Sequence, residues 1–117
     1  MGKRNRQRNR DRLTAPTTSY PGPEDSVLEL RGALSPATRV RYADTLGSGL
    51  NQDDAWQRAT ELLFEHLAVA WTTAGVRTER PKELLGRYRI ASPAERAFVR
   101  DTLRVHLAEN FPDMEAP

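Results

Sequence analysis

The sequence predicts an all-α fold, a small bundle of three or four helices behind a disordered basic N-terminal tail. Three observations lead there. Two serine–proline pairs stand where helices should begin, one apolar stripe persists from about residue 51 to 74, and no run alternates apolar and polar residues as a half-buried strand would. The expected organisation is a disordered arginine-rich tail over 1–23, a short irregular or one-turn covering segment over 24–34, a helical bundle over 35–112 and a disordered C-terminus over 113–117.

The tail follows from charge. Lys3, Arg4, Arg6, Arg8, Arg10 and Arg12 face the single acid Asp11, a net of +5, whereas the remaining 105 residues carry 12 basic and 15 acidic side chains, a net of −3. Like charges so close repel, and no apolar residue lies between Met1 and Leu13 to offset the entropy of ordering them. Three prolines and a glycine between Thr14 and Pro23 extend the expected disorder to Pro23. Val27-Leu28-Glu29-Leu30 then offers three apolar side chains, too few to distinguish a helical turn from an extended segment.

Ser35-Pro36 reads as an N-cap with proline at the first helical position, where its missing N–H costs nothing. This first helix carries Val40, Tyr42, Ala43 and Leu46 and stops at Gly47-Ser48-Gly49. The second is expected to start between Asn51 and Asp53, with its acids at the positive end of the helix dipole, and to run to Ala74 with Gly75 as its stop. Trp56, Ala59, Leu63, Leu67, Ala70 and Ala74 make its buried stripe, and Leu62, Phe64, Ala68 and Trp71 widen it. A third helix is expected from Pro81 to Tyr88, with Leu84, Leu85 and Tyr88 inward. The fourth has the clearest start, because Ser92-Pro93-Ala94-Glu95 is a capping box. Phe98, Val99, Thr102, Leu103, Val105 and Leu107 form its inner face up to about Asn110.

Composition narrows function. With no cysteine there is no disulfide, thiol nucleophile or zinc finger, and the cytoplasm is the expected compartment. No run approaches the roughly eighteen apolar residues of a membrane span, so no membrane partner is expected. The two histidines, His66 and His106, lie mid-helix, and Phe64 fills the position three after Glu61 where a Glu-x-x-His ligand pair would need its histidine. With no phosphate loop or nucleophile elbow either, the sequence predicts no metal, no cofactor, no catalytic residue and no enzyme.

Binding has more support. An arginine-rich arm attracts phosphate and places guanidinium groups on its oxygens. Residues 77–104 add eight basic side chains against four acids, and Arg96, Arg100 and Arg104, spaced by four, should form a cationic ridge on the last helix. The expected partner is therefore nucleic acid or a nucleoprotein, bound through Lys3, Arg4, Arg6, Arg8, Arg10, Arg12, Arg96, Arg100 and Arg104. The alternative is a protein–protein or homodimerisation module built on the aromatic-rich second helix, with the tail as an accessory.

Overall fold

A computed structural model describes residues 16–48 and 51–117. It shows a mixed α/β fold in place of the expected all-α bundle. The elements are β1 (Thr17–Pro21), β2 (Val27–Arg31), α1 (Pro36–Leu46), α2 (Gln52–Leu67), β3 (Ala68–Thr73), β4 (Val76–Thr78), α3 (Pro81–Arg89) and α4 (Pro93–Asn110). The four strands form one antiparallel sheet in the order β1-β2-β3-β4.

The first correction concerns residues expected to be tail and covering segment. Thr17-Thr18-Ser19-Tyr20 is rich in residues that suit a pleated surface, and it pairs with β2 from Thr17↔Arg31 to Pro21↔Val27. Pro16 and Pro21 bound this edge strand without interrupting its ladder, because proline is tolerated at a strand end. The intervening turn places Glu24 and Asp25 at φ 56° and 60° and is closed by Gly22 N–H donating to the Ser26 carbonyl at 2.8 Å. Gly22 is required by crowding, since a Cβ there would lie 2.6 Å from the Phe98 ring. On β2 the alternation is real but only five residues long. Leu28 and Leu30 are wholly buried, while Val27, Glu29 and Arg31 are half-buried.

The second correction concerns the long helix. It ends at Leu67, not Ala74. Ala68 N–H still donates to the Phe64 carbonyl, but its ψ of 124° turns the chain straight into β3 without a loop. Val69, Trp71, Thr72 and Thr73 are β-branched or aromatic, and a strand this buried shows no polar alternation to betray it. Gly75, read as a helix stop, is instead the second residue of a two-residue hairpin turn. Ala74 and Gly75 both have positive φ, 50° and 78°, as a type I′ turn demands.

The helix starts fall where the capping residues place them. Ser35 Oγ accepts from Thr38 N–H at 3.2 Å and Asn51 Oδ1 from Asp54 N–H at 2.9 Å. At α4 the box is complete, with Ser92 Oγ accepting from Glu95 N–H at 3.1 Å and Ser92 N–H donating to Glu95 Oε1 at 2.9 Å. The core joins Leu28, Leu30 and Trp71 of the sheet to Leu63, Phe64 and Leu67 of α2, Leu84 and Tyr88 of α3, and Val99, Leu103 and Leu107 of α4. Val40, Trp56 and Val105, expected on apolar faces, are exposed.

Two polar anchors complete the fold. His106 is fully buried and joins three elements. Its Nε2 donates to the Arg31 carbonyl at 2.8 Å, which leaves Nδ1 to accept from the Tyr20 hydroxyl at 2.7 Å and from Asn110 Nδ2 at 3.2 Å. Burial, reinforced by the charge of Glu109 and opposed by a hydrogen bond with Thr18, raises the Tyr20 pKa and so keeps the phenol in its donor form. The segment 113–117, expected to be disordered, is docked. The Tyr42 hydroxyl donates to the Glu115 carbonyl, Met114 packs on the core, and Arg104 Nε donates to a main-chain oxygen of Pro117 at 2.9 Å.

Two outcomes follow from this geometry. An L-residue in the left-handed region costs about 1–2 kcal/mol, so Ala74→Gly should raise stability by about 0.5–1 kcal/mol after glycine's extra chain entropy, read as a higher thermal midpoint. A helix through Ala74 would respond oppositely. The Glu95 carboxylate is held below its ordinary pKa, first by the Ser92 backbone N–H and then by Arg87. Its stabilisation is therefore complete above the unfolded carboxylate value, about 4.3, and is lost as pH falls through the lower folded value. Glu95→Gln should lose less stability than the parent across that acid window, measured by denaturation at a series of pH values.

Candidate nucleic-acid interface

The α4 helix buries Val99, Thr102, Leu103, His106 and Leu107 and turns Arg96, Arg100 and Arg104 outward. Four residues advance a helix by about 6 Å, so the three guanidinium stems rise in nearly equal steps along one face. This is the ridge expected from the sequence, and the surroundings of each arginine can be specified.

Arg96 is the most firmly held. Its Nη2 donates to the Arg89 carbonyl at 2.5 Å and its guanidinium lies over the Tyr88 ring, 5.7 Å from the centroid. Tyr88 is itself stacked on Phe64, 4.9 Å away and inclined by 25°. A column of ring, ring and guanidinium thus runs from the core to the surface. Arg100 Nε is 3.5 Å and Arg104 Nη1 4.0 Å from the same Asp101 carboxylate, both long contacts between exposed groups. Such pairs contribute at most about 1 kcal/mol and are readily exchanged for another anion.

All three arginines line one groove, of about 410 Å³, whose opposite wall is the first half of α2 with Asp53, Trp56 and Gln57. Trp56 was expected in the buried stripe. It is 40% exposed, whereas Trp71 is 0% exposed. The signal that could have found it is local. Trp56 sits in the first turns of α2 among Asp53, Asp54, Gln57 and Arg58, where only Ala55 and Ala59 reach the core.

Charge separates this groove from its neighbours. The cleft between α1 and α2 sets Arg41 and Arg58 against Asp44, Glu61 and Glu65. The cleft by the C-terminal segment sets Arg39 against Asp113 and Glu115. The cavity beside the β1–β2 turn sets Arg87 against Glu24 and Glu95. Among these four clefts, only the α2–α4 groove has more cationic than acidic side chains, three against Asp53.

Other sequence candidates fall elsewhere. Lys3, Arg4, Arg6, Arg8, Arg10 and Arg12 lie outside the described residues. Arg77, Arg87 and Arg89, counted among the basic residues of the C-terminal third, are engaged by Glu29 and Glu79, by Glu95, and by Glu61 respectively. His106 serves the fold, as described. His66 is half-buried, with its Nε2 atom buried and unpartnered. Among the described residues no group of three or more His, Asp or Glu side chains is arranged to hold a metal ion, and no helix is long and apolar enough to cross a membrane. The broad apolar surface of α2, which suggested a dimer, is covered within the chain, since Leu62, Leu63, Phe64 and Leu67 all belong to the single core. Comparison with protein-family models, with curated proteins and with solved structures finds no match.

The unequal exposure of the two tryptophans has a direct check. Acrylamide should quench only part of the tryptophan fluorescence, and Trp56→Phe should remove the quenchable part while leaving the Trp71 emission. A fully quenchable spectrum would contradict the burial of Trp71.

Proposed function

We propose that this chain binds nucleic acid, using the arginine-rich arm for sequence-independent attraction to phosphate and the α2–α4 groove as the structured contact. The observation that carries this reading is the convergence of Arg96, Arg100 and Arg104 on one groove with a net positive lining. Arginine suits the role because its planar fork donates two parallel hydrogen bonds to phosphate oxygens, and because it stays charged at any physiological pH. The arm supplies six more cations within twelve residues. Contacts of this kind position a protein on a polyanion without reading its bases, so affinity should be high at low salt and largely indifferent to sequence. A protein partner that presents a nucleic-acid surface, as a nucleoprotein does, would engage the same groups.

The test is a binding titration across salt concentrations. Each phosphate neutralised contributes about −0.9 to the slope of log affinity against log salt on duplex DNA. Replacing Arg96, Arg100 and Arg104 together by glutamine should make the slope shallower by about 2 to 3, and replacing the six arm cations by serine should flatten it further. Affinity unaffected by salt and by both sets of substitutions would refute nucleic-acid binding and leave the protein–protein reading in its place.

A further inference from the structure

We propose that the α2–α4 groove selects single-stranded over duplex nucleic acid, with Trp56 stacking on an unpaired base while the α4 arginines hold the neighbouring phosphates. This rests on the nucleic-acid reading above and adds a substrate class to it.

The two walls of the groove are chemically different. The α4 wall is cationic, with Arg96, Arg100 and Arg104 rising in steps of about 6 Å, a spacing comparable to that of successive phosphates on an extended strand. The α2 wall is aromatic and polar. It carries the exposed ring of Trp56, the Gln57 amide and the acid Asp53. Asp53 repels phosphate from that side, so a bound backbone is driven along α4 with its bases turned toward Trp56 and Gln57. This is the division of labour that unspecific single-strand binding uses, a charged track for the backbone and an aromatic ring for the bases.

A duplex cannot use both walls. Its bases are already stacked on one another, so the Trp56 ring would meet only the sugar–phosphate rim, where an aromatic face gains little. A groove is also concave, whereas reading a duplex calls for an element that projects into one of its grooves. The floor of the site is rigid in the sense that matters for selection. The Phe64–Tyr88–Arg96 column fixes one guanidinium before any ligand arrives. By contrast, Asp101 lies 3.5 and 4.0 Å from Arg100 and Arg104, long contacts that an incoming phosphate can replace, while Arg104 Nε keeps its 2.9 Å hydrogen bond to Pro117.

The experiment uses the full chain with a short oligothymidylate and with a duplex of the same length, at low salt, following both anisotropy of the labelled strand and tryptophan emission. The single strand should bind more tightly and quench the Trp56 emission, and the duplex should leave the emission unchanged. Trp56→Ala should weaken single-strand binding by about ten- to a hundredfold, the value of one stacked base, with duplex binding unchanged. Trp56→Phe keeps a stacking ring and should recover most of the loss, which separates stacking from any disturbance of α2. Equal affinity for the two nucleic acids, or a Trp56→Ala loss shared equally between them, overturns the single-strand proposal while nucleic-acid binding stands. Binding to neither at low salt overturns both.

Discussion

The architecture depends on the junction between Leu67 and Ala68, where a helix becomes a strand with no connecting loop. Because β3 pairs with β2 on one side and β4 on the other, the direction of the strand fixes where α2 must leave the sheet. The last turns of α2 are thereby pressed onto the core, and Leu63, Phe64 and Leu67 are wholly buried. The first turns touch it only through Ala55, Ala59 and Thr60. This is why one helix buries Leu62, Leu63, Phe64 and Leu67 at its C-terminal end and presents an exposed tryptophan near its N-terminal end. With no loop at the junction, the position of Trp56 relative to α4 is set by the sheet.

The same junction explains why the sequence was misleading there. A short, fully covered strand and the buried end of a helix are both continuous apolar runs, and Ala68-Val69-Ala70-Trp71 satisfies either description. The glycine that follows did not discriminate, since a helix stop and a type I′ hairpin both ask for a residue at positive φ. Prolines hid β1 in a comparable way. Pro16, Pro21 and Pro23 read as loop, yet an edge strand bounded by prolines loses no ladder bond that it needs. What was legible is what side chains determine locally. Ser35, Asn51 and the Ser92–Glu95 box satisfy amides within their own first turns, so each helix start could be read without knowledge of the sheet.

The candidate site was half legible for the same reason. The α4 ridge follows from helical spacing alone, and α4 is a helix along its whole predicted length. The other wall is not local information. That Trp56 is exposed, and that it faces the arginines across a groove, depends on how α2 and α4 cross, and this is set by the β2–β3 pairing and by core contacts distant in sequence.

Electrostatics then distinguishes the ridge from three basic side chains that precede it, Arg77, Arg87 and Arg89. Arg77, Arg87 and Arg89 each have their own carboxylates in close contact, with Arg77 shared by Glu29 on the neighbouring part of the sheet and Glu79. Their charge is compensated where it stands. Arg96 is held by a carbonyl and a ring, Arg104 by a main-chain oxygen of the last residue, Pro117, and Arg100 and Arg104 share the more distant Asp101. A carbonyl oxygen and a ring face orient the Arg96 guanidinium without cancelling its charge. The fold thus uses a carbonyl and a ring to orient Arg96 beside Arg100 and Arg104, along a groove that also carries the exposed ring of Trp56. Stability alone gives no reason for that arrangement, because exposed ion pairs and exposed rings contribute little to it. A polyanion with unpaired bases gives a reason for both.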